Sequence, residues 1–194
     1  LEFRRVLFRS IRLEQYEDGS VPTIVPNWKT FRRTMNAKTA GGWTDYAALI
    51  PWFLYERYGD IRILHENYSM MEKWVKYQKR RAESAFLMEE ENVPEEEKKY
   101  SRYLWNTDAV FGDWLTPSIS YEESTGNYSY YTQTLCDVIG TYFYAYTTSV
   151  MEKAAYALGK EEDGRYYGEL NRKIREAATE TFFKKGKISQ FDLM

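Results

Sequence analysis

Two short runs in this sequence set tryptophan beside aspartate and glycine: GGWTDY at residues 41–46 and VFGDWLTP at residues 110–117. The combination has a definite chemical use. Glycine lets the backbone come close to a bound molecule, the indole faces of Trp43 and Trp114 make apolar walls, and the carboxylates of Asp45 and Asp113 accept hydrogen bonds from hydroxyl groups. A sugar ring, with its C–H faces and its rim of hydroxyls, fits such a wall. The same four residues also read as packing, with the tryptophans closing the mouth of a helical array and the aspartates capping helices or turns.

Other chemistry is sparsely represented. The single cysteine, Cys136, excludes an intramolecular disulfide and is expected to be a buried thiol on an apolar helix. The single histidine, His65, rules out a histidine-rich metal cluster and is expected to be a partly exposed structural residue. No carboxylate cluster has the spacing of a metal site, so neither metal nor cofactor is expected. With 27 basic and 29 acidic residues interspersed and a net charge of −2, the chain carries no footprint for nucleic acid. No apolar run is long enough to span a membrane. Aromatic residues make up 18% of the chain, including 18 tyrosines and 6 tryptophans, a bias that suits carbohydrate recognition as well as a large helical core.

The elements that must position these residues are helices. Trp43, Ala47, Ile50, Leu54 and Tyr58 recur at three- and four-residue steps, Pro51 should bend the helix, and Gly59 supplies a left-handed stop. After a cap at Asp60, a second stripe runs through Ile61, Leu64, Tyr68, Met71, Val75 and Gln78. The plan then repeats. Leu135, Ile139, Tyr142, Tyr146, Val150 and Ala154 lead to a stop at Gly159, and Tyr167, Leu170, Ile174, Ala177 and Phe182 mark the next inner face. Two hairpins joined at glycines imply an all-α array or toroid of antiparallel helical hairpins. Residues 83–133 separate them as an acidic, solvated insertion followed by a long loop rich in Trp, Asp, Gly and Tyr. Loops of that length inside a domain usually carry function.

Residues 1–10, LEFRRVLFRS, hold four arginines and too short an apolar run for a signal peptide, and are expected to be a non-native junction. Residues 11–194 are then expected to form one incomplete domain.

In order, DGSVPTIVPNW, GGWTDYAALIPWFLYERYGDIRILHENYSMMEKWVKY, FGDWLTP and TLCDVIGTYFYAYTTSVMEKAAYALGKEED resemble the catalytic barrel of bacterial α-L-rhamnosidases, glycoside hydrolase family 78. The resemblance spans residues 11–190. It implies a partial (α/α)6 toroid of the six-hairpin glycosidase kind and removal of terminal α-L-rhamnose with inversion. Two carboxylates roughly 6.5–9.5 Å apart would act as general acid and general base. It also implies that both lie outside this chain. The acid's Asp-Glu-Arg motif has no counterpart in residues 1–17, and the base belongs to a helix beyond Met194. Trp43 and Trp114 fall at pocket tryptophans, with Asp45 and Asp113 as supporting or hydroxyl-binding acids. Thr44 departs from the family's Gly-Trp-Gly-Asp and is expected to stiffen the turn or narrow the approach. The partner implied is a rhamnose-containing glycoside or polysaccharide. The alternatives are another (α/α)6 glycosidase or lyase, or a noncatalytic carbohydrate-binding or scaffold protein. The isolated chain is expected to be inactive and prone to self-association, with apolar helix faces uncovered.

Overall fold

A computed structural model describes residues 2–27, 39–89, 95–105, 109–110 and 136–184 of the chain. The elements are α1 (Glu2–Glu14), β1 (Ala40–Gly41), α2 (Tyr46–Tyr58), α3 (Ile61–Glu89), α4 (Glu95–Ser101), β2 (Ala109–Val110), α5 (Cys136–Ala157) and α6 (Glu161–Ala178). A π-helical turn, Thr179–Phe183, continues from α6.

Helices α2 and α3 form one hairpin and α5 and α6 another. Each turns at a glycine in the left-handed region, Gly59 with φ 66° and Gly159 with φ 70°, as the sequence predicts. The amide of Gly59 closes α2 on Tyr55 O at 2.7 Å, and the Asp60 carboxylate then accepts the Arg62 amide. Acids crowd the first turn of α6 at Glu161, Glu162 and Asp163, where they complement the positive end of the helix. Pro51 lies inside α2 and is buried there.

The two hairpins share one core, in which α3 and α5 press Leu64, Met71, Trp74 and Val75 toward Tyr144, Val150 and Met151. Trp105, from the segment after α4, enters this core as a wedge. A Cβ on Gly140 would lie 2.5 Å from its ring and one on Gly41 would lie 3.0 Å from its Nε1, so both positions leave room for the indole. Trp105 stands 6.3 Å from Trp74 and 6.1 Å from Tyr144, ring centre to ring centre.

The described residues bear on four expectations. A single helix, α1, runs across the boundary expected at residues 10 and 11, and Phe8 and Ile11 are both buried in the main core. The insertion expected from residue 83 begins as the last turns of α3, and α4 forms within it. In α2 the buried residues are Ala47, Ala48, Leu49, Pro51 and Trp52, whereas Trp43 and Tyr58 of the expected stripe are exposed. In α5, Tyr142 is exposed and Tyr144 is buried. Helices α2 and α5 are apolar on nearly every side, so spacing does not select one face. The amphipathic α3 and α6 bury the stripes the sequence predicts, among them Leu64, Met71, Gln78, Tyr167, Leu170 and Ile174.

Candidate functional site

The first Trp–Asp run folds as a tight turn between β1 and α2. Ala40 O accepts three bonds, from the Trp43 amide at 3.2 Å, the Thr44 amide at 2.9 Å and Thr44 Oγ1 at 2.7 Å. Gly42 sits at φ 80°, a region that favours glycine, and a Cβ there would approach the Phe143 ring to 3.2 Å. Thr44 is completely buried and is also paired with Thr39 Oγ1 at 2.9 Å. Of the two effects expected of Thr44, it therefore stiffens the turn and is too deep to narrow the approach.

Trp43 and Asp45 differ sharply in exposure. Trp43 is 45% exposed. Asp45 is buried and points beneath the turn, where its two oxygens accept three hydrogen bonds. Oδ1 takes Trp74 Nε1 at 3.0 Å and Gln78 Nε2 at 2.9 Å, and Oδ2 takes the Gly42 amide at 2.7 Å. Gln78 Oε1 in turn accepts Thr147 Oγ1 from α5 at 2.7 Å. Burial pushes the Asp45 carboxyl up to about 6, against which the bonds from Trp74, Gly42 and Gln78 pull it down. The carboxylate makes no side-chain cap on α2. Of its expected roles, the one this geometry serves is bracing the turn, because its acceptor positions are already met by protein donors.

The second Trp–Asp run, with Asp113 and Trp114, lies outside the described residues, but the backbone leading into it is placed. β1 and β2 pair in parallel, Ala40 with Ala109 and Gly41 with Val110. Gly41 is two residues ahead of Trp43, and Val110 is three ahead of Asp113. Cys136 Sγ donates to Val110 O at 3.3 Å, which ties this strand to the start of α5, and burial raises the thiol above its ordinary value. His65 is exposed on α3.

The sequence reading missed Trp74 and Thr147 as parts of this site. The available signal was Gln78, a polar residue on an otherwise apolar stripe and one helical turn beyond Trp74. A groove of about 500 Å³ runs along α6 past Asn171, Arg172, Arg175, Glu176, Thr179 and Glu180, and shares no residue with the Trp43 turn. Among the described residues, no three His, Cys, Asp or Glu side chains converge as metal ligands, and no helix is long and apolar enough to cross a membrane.

Residues 2–190 match the family model described as the bacterial alpha-L-rhamnosidase 6 hairpin glycosidase domain. An alpha-L-rhamnosidase of Formosa agariphila is 34% identical over 180 residues, which are 93% of this chain and 16% of that protein. The alpha-L-rhamnosidase structure from Dictyoglumus thermophilum superposes with a TM-score of 0.69 at 26% identity, over 94% of this chain and 17% of the other. That of Streptomyces avermitilis, complexed with L-rhamnose, superposes with a TM-score of 0.65 at 23% identity, over 92% of this chain and 14% of the other, and supports the fold. The chain thus spans about a sixth of the length of the relatives it matches.

Proposed function

The chain belongs to the bacterial alpha-L-rhamnosidase six-hairpin glycosidase family, and on that premise we propose that it forms part of a glycosidase that removes terminal α-L-rhamnose from glycosides or polysaccharides. Trp43 supplies a stacking wall for the sugar. Asp113 and Trp114 extend the same wall from the neighbouring segment, and Asp45 supports it from below. The inverting acid and base come from other parts of the barrel, so this chain contributes binding and orientation and not proton transfer. The observation that supports this reading is the in-register pairing of Gly41 with Val110, which sets the backbone two residues ahead of Trp43 beside the backbone that precedes the second run in sequence.

The test is release of rhamnose from an aryl α-L-rhamnoside by the longest natural chain containing these residues, compared with its Trp43→Ala variant. Loss of the indole should lower kcat/KM by about tenfold or more, equivalent to roughly 1.4 kcal/mol of lost binding to the transition state. No release by the parent, or an unchanged kcat/KM in the variant, would overturn the reading. Binding of rhamnose without cleavage would favour a carbohydrate-binding protein.

A further inference from the structure

We infer that Asp45 is a positioning residue for Trp43, acting through the Gly42 amide, and that this link is weakened by a single proton. As a statement about the turn it is independent of what occupies the indole face; its bearing on sugar binding rests on the function proposed above.

The inference follows from which donors can adjust and which cannot. Ala40 O holds the amides of Trp43 and Thr44, but the Gly42 amide reaches outside the backbone of the turn, to Asp45 Oδ2 at 2.7 Å. This bond fixes the left-handed residue immediately ahead of Trp43. On the other side of the carboxylate, Oδ1 faces two donors that cannot become acceptors. The Trp74 indole N–H only donates. The Gln78 amide is held with its nitrogen toward Asp45 because its oxygen accepts Thr147 Oγ1. A proton on the carboxyl therefore goes to Oδ2, where the hydroxyl so formed is a weaker acceptor for the Gly42 N–H and sets a donor of its own beside it. Trp74 and Gln78 keep their acceptor, and the Gly42 bond is weakened.

The surroundings leave this proton to Asp45. β1 brings only Ala40 and Gly41. On α2 the nearest ionisable side chain in sequence is Tyr46, whose hydroxyl donates to Pro22 O at 2.7 Å. From α3 come Trp74 and Gln78, with Tyr77 stacked on Trp74, and from α5 come Thr147 and the buried phenol of Tyr144. Among the described residues no charged side chain acts on the carboxylate, and its midpoint near 6 is set by burial against hydrogen bonds from Trp74, Gly42, Gln78 and its own backbone amide.

Asp45→Asn is the fixed counterpart of the acid form. With its oxygen toward Trp74 and Gln78, its Nδ2 group faces the Gly42 amide at every pH. The experiment is a pH titration of the 194-residue chain by amide and indole NMR, with iodide quenching of tryptophan fluorescence referenced to Trp43→Phe. In the parent, the Gly42 amide should shift with a midpoint near 6, Trp43 should become more quenchable below it, and the Trp74 indole N–H should keep its hydrogen-bonded position. Asp45→Asn should show the acid-state Gly42 and Trp43 signals throughout, with unchanged far-ultraviolet circular dichroism.

The inference is overturned if Gly42 and Trp43 are indifferent to pH in the parent, or if the Trp74 indole moves in place of Gly42. The parent titration decides this even if the variant does not fold. The rhamnose-release test on the longest natural chain separates the two readings. No release with a normal Gly42 transition removes the proposed function alone, whereas Trp43-dependent release with an unmoved Gly42 removes this inference alone.

Discussion

Thr147 and Thr148 are neighbours on α5 and feed two buried polar clusters of different kinds. Thr147 joins Gln78 and through it Asp45. Thr148 accepts Asn171 Nδ2 from α6 at 3.0 Å, and the same nitrogen donates to Ala145 O. The Asn171 cluster is neutral and ties one helix to another. The Asp45 cluster contains an ionisable group and ties two helices to a turn whose next residue is exposed. A neutral amide is sufficient where both partners are rigid helices. The turn at Gly42 needs an acceptor group with room for three donors, which a carboxylate offers and an amide oxygen does not.

That choice carries an energetic cost with a definite sign. The Asp45 carboxyl lies near 6 in the fold, against an ordinary 3.8. The folded state therefore holds its proton more tightly than the unfolded chain. The contribution of this group to stability is fully present below about 4 and is lost as pH rises through about 6, a swing on the order of 3 kcal/mol. Global stability and order in the turn thus respond to this proton in opposite directions.

The contrast can be broken or sharpened by substitution. The largest effect is expected from Asp45→Ala, which leaves Trp74, Gln78 and the Gly42 amide without their acceptor. Its urea midpoint at pH 8 should correspond to a loss on the order of 3 kcal/mol, even with the relief of removing a buried charge. Asn171→Ala should cost about 2 kcal/mol, and by the same amount at pH 5 and pH 8. A pH-dependent cost there would erase the distinction between the clusters. Thr147→Val should cost least, about 1 kcal/mol, because one neutral hydrogen bond is lost and the shape is kept. It also frees Gln78 to turn its oxygen toward Asp45, so the Asp45 midpoint followed by NMR should rise. An unchanged midpoint would mean that Gln78 is held by packing alone.

The hairpin plan was legible because its signals are local. Gly59 and Gly159 end helices by adopting a backbone region that other residues avoid. α3 and α6 wear their buried stripes against charged opposite faces. The orientations of α2 and α5 were not legible, since Phe53, Tyr142 and Tyr146 are as apolar as the residues facing the core. Phe53 and Tyr146 approach with ring centres 6.4 Å apart along these helices, and Phe53 and Tyr142 are exposed. The direction of Asp45 was hidden for another reason. An aspartate ahead of a helix reads alike as a cap, a ligand group or a brace, and its side-chain partners, Trp74 and Gln78, arrive from a different helix. The early helix α1 escaped notice because its arginines masked the two core positions, Phe8 and Ile11.

The two-residue pairing of β1 with β2 has a consequence for the order in which the molecule assembles. Helical hairpins close through near neighbours in the chain and form on the microsecond scale. Strand β2 reaches β1 only after the chain has travelled out along α2 and back along the 29-residue α3, a rod about 44 Å long, and has set Trp105 between Gly41 and Gly140. The pairing therefore closes a long loop for little local gain and falls late in folding. Intermediates with both hairpins intact would still lack the pairing of Gly41 with Val110, so the backbone ahead of Trp43 would gain its neighbouring strand only with the final contacts, well after most of the helix has formed.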